Sequence, residues 1–386
     1  MTSRLIRLLC AIAILALAPF AHAQTFTIVA TFFGGGGPGL APLARDAEGN
    51  LYGAGFGGVF KADPTGKVTV LYTFKGAPDG YGGVQVVLDP DGNLYGTTEY
   101  GGTGTCSNGP YAGCGTVFKL ATTGEETVLH SFTGSPDGSW PNSGLIRDAK
   151  GNLYGTTYLG GSGAGTCFNT GCGTVYKIDP TGQETVLFRF DDGTDGGLPL
   201  GNLLLVDGAL YGTTAAGGTG PCTQSGNPIV GCGTIFKLVG RKETVLHSFQ
   251  GPDGSGPQSN VVRDSAGNLY ATAVQGGLFT TNCYFGCGTV VKLEPNGTET
   301  ILHAFEDQSD GESPAGVVID SEGNLYGSAG GLGSVAGTVF EIDAKDQFTI
   351  LHAFEGQGAA EPGDLILDDQ GNLYGSGSWM IFRITP

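Results

Sequence analysis

Positive charge is scarce in this sequence. Its 18 Lys and Arg face 36 Asp and Glu, giving a net charge of −18, or −20 once Arg4 and Arg7 depart with the leader described below. Such a surface repels phosphate backbones and anionic lipid, which argues against nucleic acid and membrane surfaces as partners. Charged residues of both signs make up only 14% of the chain, which excludes a coiled coil and a charge-rich disordered segment. Long apolar runs are missing too. The one candidate, Leu8 to Leu17, is too short to cross a bilayer, so no membrane span is expected. Familiar catalytic signatures are also absent: there is no Gly-x-Ser-x-Gly, no His-Glu-x-x-His and no phosphate-binding Gly-Lys-Ser/Thr loop.

Residues 1–23 read as a signal peptide, with Arg4 and Arg7 ahead of the apolar run and the small-x-small triplet Ala21-His22-Ala23 at its end. Cys10 is a poor lipidation site, because the apolar stretch continues past it from Ala11 to Leu17. Of the 9 cysteines, 8 remain after cleavage, and an even number in an exported chain points to disulfides. A secreted or periplasmic protein is expected.

Glycine is abundant, at 72 residues, and much of it recurs with a period. The string Gly-Asn-Leu-Tyr, or a near copy, begins at Gly49, Gly92, Gly151, Gly208, Gly267, Gly323 and Gly371. Seven strand-rich units at this spacing predict an all-β, seven-bladed β-propeller with four-stranded blades. In the third unit, Ser143 to Asp148 is the first strand and Asn152 to Thr157 the second. Gly173 to Ile178 is the third strand, and Glu184 to Phe190 the fourth. The Asp and Gly between the first two strands fit a type I turn closed by a left-handed Gly, and the fourth unit shortens this to Asp207-Gly208, a favoured two-residue hairpin pair. The expected blades span about 40–74, 83–132, 142–190, 199–249, 258–305, 314–354 and 363–385 within one domain, 24–386. The last unit lacks a fourth strand. Residues 25–33 carry that pattern at the other end of the chain, so the N-terminal strand is expected to close the last blade and remove the open sheet edges.

The motifs Asp-x-x-Gly-Asn-Leu-Tyr-Gly-Thr-Thr, Gly-Cys-Gly-Thr-Val-Phe-Lys-Leu and Glu-Thr-Val-Leu-His-Ser-Phe resemble the GloVer tandem repeat of exported bacterial proteins over nearly all of the mature chain. The resemblance implies a surface or secreted protein whose repeat has no assigned chemistry. Members often carry a sorting anchor after the repeats; this chain stops at its last strand, so release or a periplasmic place is expected rather than tethering.

Four units place two cysteines between the second and third strands: Cys106 with Cys114, Cys167 with Cys172, Cys222 with Cys232, and Cys283 with Cys287. Local disulfides follow, and they should rigidify loop tips more than the whole fold. Metal binding by these pairs would need four converging ligands, and the loops offer no His. Loops joining one unit to the next emerge on the same face and place Asp79, Asp137, Asp195, Asp253 and Asp310 at equivalent positions. Asp-Gly is a turn pair, which is one reading of these residues. The other is a cation or polyol rim, with Ca²⁺ as the only cofactor considered. Tyr100, Tyr111, Trp140, Tyr158, Phe168, Tyr284 and Phe285 lie in the loops, where aromatic rings suit sugar stacking or plain packing.

The turn Asp residues 46, 89, 148, 264, 320 and 368 are explained by the repeated turn. Around Asp89 the match to a calcium loop fails, because Leu94 and Tyr100 occupy the positions that need Gly and Glu. His130, His247, His303 and His352 share one slot of the fourth strand with Tyr72 and Phe188, which reads as a structural place for a flat ring.

The expected function is that of a binding module acting through an acidic, disulfide-braced loop face, with Asp79, Asp137, Asp195, Asp253, Asp310, Trp140 and Tyr158 as candidate ligand contacts and no catalytic residue assigned. A glycan, a cell-wall polymer or another protein would be the partner, and a monomer is expected. Two alternatives stand beside this reading: a carbohydrate-active lyase or hydrolase with carboxylates near the central channel, and a purely structural envelope protein.

Overall fold

The computed structural model describes residues 24–32 and 41–385, apart from 109–110, 162–166, 168–169, 192, 223–230, 282, 307–309, 332–334, 356–361 and 378. The leader with Cys10, and also Phe168, lie outside the described residues. Every regular element among the described residues is a strand, and no helix is long and apolar enough to cross a membrane. Seven four-stranded antiparallel sheets form the blades of a seven-bladed propeller. The third blade comprises Ile146–Arg147, Leu153–Thr157, Thr174–Ile178 and Glu184–Arg189. In the last blade Thr25–Thr31 runs antiparallel to Met380–Thr385, from Thr25 opposite Thr385 to Thr31 opposite Met380. The two ends of the chain thus complete one sheet.

The turn between first and second strands is one device used six times. Asp148 accepts the backbone N–H of Asn152 at 2.8 Å, the Asn152 side-chain amide at 2.7 Å and the Tyr154 hydroxyl at 3.2 Å. Asp46, Asp89, Asp264, Asp320 and Asp368 repeat this set. Burial alone would raise these carboxyls, but the donors aimed at them hold all six below the ordinary value. In the fourth blade Asp207 and Gly208 take φ of 51° and 78°, the left-handed pair that a two-residue hairpin requires.

The seams between blades are built on aromatic rings set edge to face. A ring at the end of one fourth strand meets a ring on the next blade's third strand: Phe74 with Phe118, Phe132 with Tyr176, Phe190 with Phe236, Phe305 with Phe340, and Phe354 with Phe382. Phe32 and Phe60 seal the closing seam at 4.8 Å between centroids. Such pairs add about 0.5–1.5 kcal/mol each beyond the area they bury. The Gly after Leu-Tyr makes room for the ring. A Cβ on Gly53 would lie 2.4 Å from Phe60, and one on Gly375 would lie 2.2 Å from Phe382. Only the fifth blade carries a Cβ there, Ala271, and there the facing residue shrinks to Val291.

Each fourth strand also carries a bulge at one position, the Leu of Glu-Thr-Val-Leu-His. In the second blade Val117 pairs with His130 and Phe118 with Val128, which leaves Leu129 without a partner, and every other blade shows the same shift. Consecutive strand residues ordinarily point to opposite faces. The bulge lets Leu129 and His130 both address the next blade.

Candidate functional site

Loops from second to third strands and loops between blades meet on one face. There Gly160 bridges Cys172, Ser139 bridges Leu159, and Gly134 bridges Gly138. All four expected disulfides are present on this face, with Cα–Cα distances between 4.9 and 5.1 Å.

The five Asp residues occupy equivalent places here, and their carboxylates bind their own loops. Asp137 accepts the N–H and hydroxyl of Thr133 at 3.1 and 2.8 Å and faces His130 Nε2 at 3.2 Å. Asp253 accepts Gln250 N–H at 2.7 Å and faces His247 Nε2 at 2.9 Å. Burial would raise both carboxyls, but the His and backbone donors bring them below the ordinary value. Asp310 pairs with His303 at 2.9 Å, and Asp79 accepts the Tyr72 hydroxyl at 2.9 Å. The fourth-strand ring slot is therefore the partner of the loop Asp, a link that the two motifs taken separately did not disclose. Asp195 is the exception, because its slot holds Phe188, which has no donor. Burial, a hydrogen bond shared with Asp191 and that neighbour's charge push Asp195 up to about 7. No group of three or more His, Cys, Asp or Glu among the described residues converges to hold a metal. Ca²⁺ at Asp137, Asp253 or Asp310 would have to displace the donors already there, whereas Asp79 and Asp195 each keep one buried carboxylate oxygen without a partner.

Behind four of these slots lies a residue that sequence reasoning passed over, the Glu that opens the next blade's fourth strand. Glu126, Glu184, Glu243 and Glu299 each bury one carboxylate oxygen without a hydrogen-bond partner. Burial pushes Glu126 and Glu243 up to about 7, the first with help from Asp79, and raises Glu184 and Glu299 as well.

The loop aromatics are not an open row. Tyr111 is sandwiched between Tyr81 and Tyr100, at 5.0 and 4.9 Å, so both of its faces are covered. Trp140 stands edge-on to Tyr100 at 6.4 Å. It is half-buried, lines a cavity of about 350 Å³ between the second and third blades, and leaves its indole N–H buried without an acceptor. Tyr158 is half-buried, and its backbone N–H donates to the Trp140 carbonyl. Tyr284 and Phe285 are exposed on the loop stapled by Cys283–Cys287, beside exposed Phe279.

At the first strands of two sets of three successive blades, a polar side chain accepts the backbone N–H of a Gly on the neighbouring blade. Asn202 donates to Gln85 at 2.8 Å and accepts Gly144 N–H at 2.5 Å. On the far side Asp364 accepts Gly316 N–H at 2.5 Å, and a Cβ on Gly316 would lie 2.0 Å from the Asn260 side-chain amide oxygen. Asp364 and Glu312 line a cavity of about 460 Å³ at the channel mouth, and burial raises the Asp364 carboxyl. Superposing the repeats marks Asp364 in the sequence, since the equivalent positions hold Pro42, Gln85, Gly144, Asn202, Asn260 and Gly316.

The sequence profile of the Gloeobacter/Verrucomicrobia repeat matches residues 16–223 and 219–380. The chain belongs to that repeat family. No curated protein matches it in sequence. Among solved structures, it is similar to a streptogramin B lyase at 12% identity and TM-score 0.64, over 94% of this chain and 97% of that one. Virginiamycin B lyase from Staphylococcus aureus aligns at 12% identity and TM-score 0.62, over 94% and 99%. The extracellular domain of a hybrid two-component system from B. thetaiotaomicron aligns at 13% identity and TM-score 0.57, over 94% of this chain and 41% of that one. At such identities the likeness of this repeat-family chain to those proteins is one of fold.

Proposed function

We propose that this protein is an exported binding module that engages an extracellular glycan, cell-wall polymer or protein through its loop-bearing face without altering it. The observation that carries this reading is the placement of the four disulfides, all in loops on that one face. Bridges closing loops of this size hold surface shape more than global stability, and they fit an oxidising compartment. Trp140 and Tyr158 are the proposed contacts. Asp79, Asp137, Asp195, Asp253 and Asp310 lie at equivalent places on the same face as further candidate contacts, and Asp137 braces the loop that leads to Trp140. The test is cosedimentation of the oxidised protein with insoluble polysaccharides and peptidoglycan sacculi, followed by assay for soluble products. Saturable binding that weakens when the bridges are reduced, with no product released, supports the reading; release of fragments overturns it.

A second reading places lyase or hydrolase chemistry at the channel mouth, favoured by Asp364 and its raised carboxyl beside Glu312. If any product appears, Asp364→Asn should abolish it and leave polymer binding intact.

A further inference from the structure

We infer that the notch holding Trp140 is a subsite for one uncharged sugar unit; this rests on the binding role proposed above and names its ligand class. Trp140 has φ of 56°, in the left-handed region. Its N–H donates to the Cys114 carbonyl at 2.8 Å, and Leu198, Gly256 and Ser313 repeat that bond to Cys172, Cys232 and Cys287 in the following blades with φ of 58°, 63° and 47°. The repeat thus demands a left-handed residue at this place. Glycine meets the demand without strain, as at Gly256, whereas a bulky side chain is disfavoured there. The surrounding repeat fixes this conformation, and it thereby fixes the backbone from which the Trp140 ring projects.

The chemistry of the walls indicates what the notch would take. Trp140, Leu159 and the Cys106 bridge supply apolar surface, and Thr105, Ser107 and Thr133 place hydroxyls around it. Among the described residues no charged side chain lines the cavity, in a chain that carries −18. An indole flanked by hydroxyls and free of charge suits the apolar C–H face and hydroxyl rim of a neutral pyranose, and it gives an acidic or basic sugar nothing to pair with.

The chain has only two tryptophans, so Trp379→Phe leaves Trp140 as the sole indole reporter. Its emission would be titrated with the neutral hexasaccharides of cellulose, laminarin, starch and mannan, and with oligogalacturonate as the charged control. The expected result is a saturable shift with at least one neutral oligomer and none with oligogalacturonate. Trp140→Ala and Ser107→Arg, each checked for an unchanged circular dichroism spectrum, should each weaken binding at least tenfold when read by isothermal titration calorimetry with the neutral oligomer that shifts Trp140. Ser107 is exposed, so its variant tests the notch even where the Trp140 variant misfolds. Silence of Trp140 towards every neutral oligomer at about 10 mM, well above the millimolar constants of weak sites, overturns the subsite. An equal response to oligogalacturonate does so too. If polymer still cosediments while Trp140 stays silent, the module role stands and this subsite alone falls.

Discussion

The seams from the first blade to the fifth and those from the fifth onward solve one packing problem with opposite chemistry. Tyr72, His130 and His247 lie near a Glu of the next blade, Glu126, Glu184 and Glu299, and Phe188 and Glu243 hold the equivalent positions of the third and fourth blades. In the next two seams the same position holds Phe. There Phe348 stacks on His303 at 3.7 Å and 5° between planes, and Phe26 stacks on His352 at 4.0 Å and 2°. The repeat therefore takes either a carboxyl or a benzene ring at this position, and the benzene rings stack flat on the neighbouring histidine. The difference is electrical. A carboxyl can occupy the slot cheaply only with its proton on, because the charged form is buried with an unpaired oxygen.

The largest effect should come from forcing the acidic solution onto an aromatic seam. Phe348→Glu removes contacts with His303, Phe305 and Phe340 and sets a carboxylate beside the His303–Asp310 pair. Phe348 is half-buried, so we expect a loss of about 2–3 kcal/mol, below the range for a fully buried Phe, and a larger loss at pH 8 than at pH 5. Urea unfolding at the two pH values measures it. A loss under about 1 kcal/mol would show the two kinds of seam to be interchangeable.

Next comes the pair Glu126→Gln with Glu243→Gln. Around Glu126 lie Tyr72, Asp79 and Lys75, whereas burial alone acts on Glu243. Both carboxyls titrate near 7 in the folded state, against 4.5 for a free Glu. Between those values the folded protein holds more protons than the unfolded chain, so stability falls as pH rises from about 4.5 to about 7 and is level above that. With solvent screening discounted, each site contributes about 1 kcal/mol. The double variant should match the parent near pH 4.5 and exceed it by about 2 kcal/mol at pH 8. An unchanged pH slope would show these carboxyls to be charged in the fold.

Tyr176 gives a smaller effect of the same origin. It is the one third-strand ring with a hydroxyl, and that hydroxyl is fully buried, without a partner, near Glu184. Phe118 and Phe236 do the same work in the adjoining blades. Tyr176→Phe should therefore raise stability by about 1 kcal/mol by deleting an unsatisfied polar group. A drop in Tm would mean that the hydroxyl has a partner.

The ring of blades could be read from the sequence because its signals are local. Turn pairs such as Asp207-Gly208, the strand runs and the complementary ends of the chain all follow from a few neighbouring residues. The exchange of Gly and Phe for Ala271 and Val291 was also written in aligned units, although it takes the third strand's packing to give it meaning. The loop face was harder to read. Asp137 and His130 stand seven residues apart in different motifs, and only the bulge at Leu129 turns the His toward its neighbours. The Glu slots depend on contact between blades, and no single repeat contains that. Trp140 was visible as a loop aromatic, whereas its left-handed backbone and uncharged notch exist only in the fold.

Phe188 offers the finest test, because it changes one partner in an acidic seam and leaves the Glu in place. In the neighbouring seams His130 and His247 reach Asp137 and Asp253 through Nε2, and those carboxyls sit below their ordinary value. Phe188 reaches nothing polar, so Asp195 is buried, shares its hydrogen bond with Asp191 and is pushed up to about 7. Phe188→His supplies the missing donor at a place the repeat already shapes for it. The Asp195 carboxyl should then fall below its ordinary value like its counterparts. Its penalty, which grows as pH rises toward 7, should become a contribution that is present at neutral pH and lost only in acid. The net gain at pH 7 should be about 0.5–1 kcal/mol, the scale of one hydrogen bond to a charged partner less the ring packing lost. Carboxyl carbon shifts followed by NMR against pH would report the site directly. If Asp195 still titrates near 7 beside the new histidine, the loop Asp answers to Asp191 rather than to the ring slot, and the pairing seen in the other blades does not set its charge.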